Sequence, residues 1–309
     1  MHASLHAITD ELKRLKASGV KSLAVSEEAM GQLRAALAGR GTAKAKSAAS
    51  EPAPAAAPEA DRVPAYQPPA KSFAIKPVAT PVSTVPEPTP FALPPGSKAE
   101  RWAALRERVL ADAVCRARAR PGKQVVFGVG SLDAKIMFVG EAPGADEEVQ
   151  GEPFVGPAGQ LLNKMIGAMG LKRADVYIGN IMNWRPEMPV DASGVQYGNR
   201  PPTPQELAYC LPYLKAQIEV VNPALLVALG STAAQGLLGV GTFKALGEIR
   251  GRWKEFAGKP LMVTYHPSYI LRNQSNQSKR LIWEDLLKVM ERAELPVSDK
   301  QRGFFLDRG

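Results

Sequence analysis

From residue 98 onward, short uninterrupted apolar runs alternate with longer stretches whose apolar positions recur every three or four residues. The runs KIMFVG (135–140), VYIGNI (176–181), ALLVALG (224–230) and PLMVTYH (260–266) read as strands buried on both faces. RWAALRERVLADAV, AGQLLNKMIGAMG, PQELAYCLPYLKAQIEVV, STAAQGLLG and SKRLIWEDLLKVMERA carry the helical period instead. Strands and helices in this order predict a three-layer α/β/α domain around a central, mostly parallel four-stranded sheet. Ligands of such sheets sit beyond the carboxyl ends of the strands. Loops 140–159, 180–186 and 266–273 lie there and hold the notable polar residues, so together they form one candidate site.

The rest of the chain reads differently. Residues 1–41 carry two short helical patterns, with Ser26 placed to cap the second. They predict a short helical N-terminal segment able to dock on a protein partner. Residues 42–97 turn to Pro, Ala, Ser, Lys and Glu, and 13 of the 27 prolines fall here. Such a stretch buries too little apolar surface to offset chain entropy and reads as a disordered linker. The expected division is therefore 1–41, 42–97 and a catalytic domain over 98–309.

Charge and cysteine content narrow the class further. A formal net charge of +9 favours an anionic partner such as nucleic acid. The only two cysteines, Cys115 and Cys210, make no disulfide scaffold and point to a reducing cytoplasm. The N-terminal MHASLHAITDELKRLK lacks the apolar core of a secretory leader, and no apolar run reaches membrane-spanning length.

Two loops carry candidate chemistry. The first, GEAPGADEEVQGEPFVGPAG, has glycines that admit close backbone approach and a following helix with free N–H groups. It is neither a Walker loop nor a dinucleotide fingerprint, and its acids Glu141, Asp146, Glu147 and Glu148 suit a phosphate poorly. The third loop, YHPSYILRN, sets His266 on a stiff turn because Pro267 restricts the residue before it. No other imidazole occurs beyond the N-terminal segment.

GEAPGADEEVQGEPFVGPAGQLL, YIGNI and HPSYILR, in this order and at these spacings, resemble the uracil-DNA glycosylase superfamily, nearest to its bacterial and archaeal type, family 4. The resemblance spans nearly all of 125–292 and implies the same sheet. It further implies an enzyme that flips uracil out of DNA and hydrolyses its bond to deoxyribose. Phe154 would stack on the base, Asn180 would read its edge, and Gly140 and Ala142 would join them in holding uracil. His266 would stabilise the leaving base, with Glu141 and Glu147 positioning water or walling the pocket near C5. Ser268, Tyr269, Ile270, Leu271 and Arg272 would enter or grip the DNA, and Arg250, Arg252 and Lys279 would be candidates for phosphate contact. Ala142 stands where a well-studied branch has an aspartate that activates water, so another acid or a backbone carbonyl takes that task.

The chain departs from family 4 at the four cysteines that hold a four-iron four-sulfur cluster. Cys115 and Cys210 match two of them, while Asp112 and Trp184 fall near the other two. Two thiolates do not supply four ligands, so no cofactor or metal is expected, and Trp184 with the inserted VDASGVQYGN would fill the space. Two other readings stand beside this one: a glycosylase for hypoxanthine or xanthine, and a non-catalytic DNA-binding repair module.

Overall fold

The computed structural model describes residues 85–191 and 194–306. The expectations for the helical segment and for most of the linker fall outside them. Residues 85–97, assigned to the linker on composition, carry side chains that pack on the domain. Val85, Phe91 and Leu93 lie against its core, and the Phe91 ring sits 5.4 Å from Tyr213 with the Arg108 guanidinium 4.5 Å above it. The packed unit thus begins N-terminal to Lys98: three apolar anchors in a proline-rich run are enough to seat it.

Six strands form one sheet in the order β1-β3-β2-β4-β6-β5. The four central strands are β2 (Ile136–Gly140), β3 (Tyr177–Asn180), β4 (Leu225–Leu229) and β6 (Lys259–Thr264), all parallel to their neighbours within that set. This is the expected four-stranded core. Two edge strands extend it, β1 (Val129–Gly130) against β3 and β5 (Trp253–Phe256) against β6, both antiparallel. Neither carries an apolar run, because an edge strand is half solvated and has no need of one.

Alternate side chains feed two separate cores. Met137, Val139, Leu226, Ala228, Leu261 and Val263 face one layer, and Ile136, Phe138, Val227, Leu229 and Met262 face the other. The first is covered by α1 (Lys98–Ala111), α2 (Ala113–Arg118), α5 (Pro204–Val221) and α6 (Ser231–Leu238). The second is covered by α4 (Pro157–Ala168), α7 (Pro267–Arg272) and α8 (Asn276–Arg292). Short helices α3 (Ala145–Gln150) and α9 (Asp299–Arg302) complete the set. Among the described residues no helix is long and apolar enough to cross a membrane.

Helix starts follow local chemistry. α5 opens with Thr203 capping the Glu206 N–H while the Glu206 carboxylate returns to the Thr203 N–H at 2.7 Å, with Pro204 at the first helical position. That same carboxylate takes both arms of Arg200 at 2.7 Å.

Candidate active site

β2, β3, β4 and β6 all end on one side, and the loops leaving them enclose a cleft of about 570 Å³. That is ample for one nucleobase with part of its sugar. Of the residues singled out in the sequence, Glu141, Ala142, Glu147, Phe154, Asn180, His266, Ser268, Leu271 and Arg272 line it. Sequence reasoning missed the fourth strand end: Gly230, Ser231 and Thr232 after β4 also form its wall. Their signal was present, since GST follows ALLVAL as GEAP follows KIMFV, but the loop is too short to attract notice. Asn199 and Arg200 were missed as well.

The loop after β2 holds Phe154 in an unusual state. Its φ is +55°, a left-handed conformation that costs a non-glycine residue about 1–3 kcal/mol unless its surroundings enforce it. Here they do. Arg173 donates to the carbonyls of Phe154 (3.2 Å) and Pro153 (2.6 Å), and pairs with Glu152 at 3.0 Å. Gly159 in α4 passes so close that a β-carbon there would lie 1.9 Å from the Phe154 carbonyl oxygen. The ring is nearly buried within the second core while one part of it reaches the cleft.

Glu147 clamps the same loop. Its carboxylate accepts the N–H groups of Val155 (3.0 Å), Gly156 (2.9 Å) and Gly144 (3.1 Å). These three bonds turn both oxygens onto the loop backbone, while Glu147 still lines the cleft. It shapes the turn that presents Phe154. Glu141 is different. Burial raises its pKa, with the Thr232 hydroxyl opposing the shift, and it faces the cleft.

Asn180 ends β3 directly opposite Gly140 of β2. Its Oδ1 is buried without a hydrogen-bond partner among the described residues. An orphaned buried carbonyl is a costly feature, about 1–3 kcal/mol, that a bound donor would relieve. Gly140 does not itself line the cleft; its missing side chain lets Asn180 and Phe154 close in from two sides.

His266 follows β6 and caps α7. Its Nδ1 accepts the Ser268 N–H at 3.2 Å and lies 2.9 Å from Ser268 Oγ. An accepting Nδ1 carries no proton, which places the proton on Nε2. Burial, aided by the nearby Arg272 charge, lowers the imidazole pKa to about 4, so it is neutral near pH 7. Its ring centroid lies 5.6 Å from that of Phe154, and Gly230 permits this crowding because a β-carbon there would come 3.0 Å from His266 Cβ.

The α7 residues divide. Leu271 and Arg272 are exposed at the cleft mouth. Ile270 is buried in the second core, which corrects its assignment to DNA: in a single-turn helix successive residues cannot all face out. Tyr269 stacks on Tyr265, with ring centroids 4.3 Å apart. Arg250 is likewise committed, bonding Asp285 at 2.7 and 3.1 Å and the Leu281 carbonyl.

The four positions matched to cluster cysteines lie in one region and do not fit an iron–sulfur cluster. Asp112 accepts the Cys115 N–H (2.7 Å) and the hydroxyls of Tyr209 and Tyr213 (2.9 Å each at Oδ2). Burial alone would raise its pKa, yet these donors together hold it below the usual range. A hydrogen bond to Cys210, with burial behind it, raises the pKa of the Cys115 thiol. Trp184 is fully buried beside Tyr209, and an indole has no lone pair to offer. Among the described residues no group of three or more His, Cys, Asp or Glu could hold a metal.

A parallel sheet covered on both faces thus gathers, at its strand ends, an aromatic face, a carboxamide with an unpaired oxygen and a neutral imidazole around one cleft. The family comparison agrees: residues 127–287 match the uracil DNA glycosylase superfamily, and the chain belongs to it. The chain is 44% identical over 166 residues to the type-4 uracil-DNA glycosylase of Thermotoga maritima, covering 53% of this chain and 81% of that protein. It is 42% identical over 152 residues to the type-4 enzyme of Archaeoglobus fulgidus (47% and 71%) and 35% over 205 residues to that of Sulfurisphaera tokodaii (62% and 84%). Its likeness within the superfamily runs to the type-4 branch.

Proposed function

We propose that this chain is a uracil-DNA glycosylase of base excision repair, acting in the cytoplasm on uracil extruded from DNA. The observation that carries the reading is the Asn180 Oδ1, buried without a partner among the described residues, beside the Phe154 ring in a cleft that His266 also lines. Uracil presents N3–H to such a carbonyl and O4 to the amide N–H₂. Cytosine presents the reverse pattern and would leave buried polar groups unpaired, at about 1–3 kcal/mol each. Phe154 supplies a stacking face, worth roughly 1–3 kcal/mol. The His266 Nε2–H meets O2 of the base and strengthens its bond as the N1–C1′ bond breaks and the base leaves as an anion. Glu141 orients the water that adds to C1′ and balances the positive charge developing on the sugar.

No iron–sulfur cluster supports the site in this reading. Trp184, Tyr209 and the Asp112 hydrogen bonds fill that region by packing. Protein purified without oxygen is expected to hold no stoichiometric iron or acid-labile sulfide, and EDTA is expected to leave activity intact. A cluster visible by absorbance would overturn this part.

The decisive experiment is release of free uracil from a uracil-containing oligonucleotide, with Asn180→Ala alongside. Wild type should turn over, and the variant should fall by about 10-fold or more for the lost base contacts. Tight DNA binding with no release would favour a binding module. Preferred release of hypoxanthine or xanthine would favour the other glycosylase reading.

A further inference from the structure

The segment between β3 and α5 leaves the cleft rim at Pro186 and returns to it at Asn199 and Arg200. Its two ends are tied together from beneath. Arg185, buried, donates from Nε to Asn199 Oδ1 (2.8 Å) and from Nη2 to the Gly198 carbonyl (2.7 Å), while Nη1 pairs with Glu148 at 2.8 Å. Gln196 is buried too, its Nε2 bonding the Pro186 carbonyl at 3.0 Å and its Oε1 accepting the Met188 N–H at 3.2 Å. With Gln196 turned inward, the next residue is turned out. That residue is Tyr197, 70% exposed, more than any other large hydrophobic residue described. Among the described residues it makes no hydrogen bond and no ring contact. An aromatic ring held out on a tethered stem is placed to bind at low cost in conformational entropy.

We infer that Tyr197 stacks on an unpaired nucleobase beside the extruded uracil, making the loop a second DNA contact that favours single-stranded substrate. The inference rests on the reading of the cleft as a uracil site. Three observations support it. Tyr197 is two residues from Asn199 and three from Arg200, both of which line the cleft. The chain as a whole carries a net charge of +9, which favours a polyanionic partner. Extruding one base also strips stacking from both of its neighbours. Leu271, from a different loop, is an exposed apolar side chain lining the cleft and is placed to cover one of them. An aromatic face replaces lost stacking whatever the base, and it reaches a base in single-stranded DNA more readily than one held in a duplex.

The test uses the full chain and a single-stranded oligonucleotide carrying one 2′-fluoro-2′-deoxyuridine, which resists hydrolysis, with binding followed by fluorescence polarisation. In a companion set each nucleotide flanking the uridine is replaced in turn by an abasic spacer. Wild type should lose about ten-fold in affinity when the spacer occupies one particular position. Tyr197→Ala should bind the intact oligonucleotide about ten-fold more weakly and be indifferent to a spacer there, with a smaller loss on duplex. Tyr197→Phe should match wild type, because the ring face acts and the hydroxyl does not. Wild-type affinity in Tyr197→Ala, or a spacer penalty that survives in it, overturns the inference. Uracil release by wild type, measured in parallel, separates the two readings. Release without a Tyr197 effect sinks this proposal alone, whereas no release sinks the cleft reading and this proposal with it.

Discussion

His266→Ala is expected to slow single-turnover uracil release by about 10²–10³-fold, the usual cost of removing one preorganised donor from a developing anion. The loss should fall on the chemical step. Nδ1 is engaged by the Ser268 N–H, so Nε2–H is the atom left to face the base. A neutral imidazole is a weaker donor than a cation in the ground state, but it needs no desolvated charge before the reaction begins. With the pKa lowered to about 4 by burial and the Arg272 charge, the neutral form persists across the working range. The rate should therefore show no imidazole titration near pH 6.5 and should change only as pH approaches about 4. Stability follows the same shift. Between about 4 and 6.5 the unfolded chain takes up a proton that the folded chain refuses. The stability tied to this residue is complete above pH 6.5 and is lost as pH falls toward 4. Melting at pH 4.5 and 7.5, in wild type and His266→Ala, measures it: the wild type should lose more on acidification. A rate that climbs as pH drops through 6.5 would show a cationic donor and defeat the argument. The variant also loses the α7 cap, a cost of about 1 kcal/mol that melting reports separately from the rate.

How much of this was legible in the sequence depends on whether the residues concerned act within one element or across several. The parallel strands announced themselves because burial on both faces forces runs such as IMFVG and LLVAL. β5, with WKEF, was invisible because two exposed charged residues interrupt it and it ends within four residues. Phe154, Asn180 and His266 were found through motif resemblance, and the structure adds why they meet: β2 and β3 align Gly140 with Asn180, and the clamped loop delivers Phe154. The harder assignments are ones where spacing says nothing of direction. Glu147 sits in an acidic run, yet its oxygens turn onto backbone N–H groups, and Ile270 sits among exposed residues yet turns into the core. Arg185 illustrates the opposite limit. Nothing in NWRP marks it as the buried pin for a loop whose far end lies 14 residues on.

Gly140→Ala adds one methyl group and is expected to lower kcat/KM for uracil release by about 10²-fold or more. The new β-carbon would lie 2.3 Å from Asn180 Oδ1 and 2.5 Å from Phe154 Cζ, distances that no real contact tolerates. Neither neighbour yields freely. Phe154 is fixed by its positive φ, by Arg173 and by the close pass of Gly159, while Asn180 is register partner to Gly140 itself. The methyl group must therefore displace the ring and the carboxamide or part β2 from β3. Displacement of a positioning group by about 1 Å already costs on the order of 10²-fold, and here two groups move together. Overpacking should also cost about 1–3 kcal/mol of stability, so thermal melting belongs beside the kinetics. Gly167→Ala is the matched control: it lies in α4, whose start helps pin Phe154, and a β-carbon there meets nothing within 4 Å. It should leave activity unchanged and raise stability by about 0.5–1 kcal/mol, as expected for Gly→Ala inside a helix. Discrimination gives the sharper reading. If Asn180 and Phe154 read the base from where they stand, Gly140→Ala loses its preference for uracil over cytosine along with its rate. A variant that keeps both would mean that the base is recognised elsewhere in the cleft.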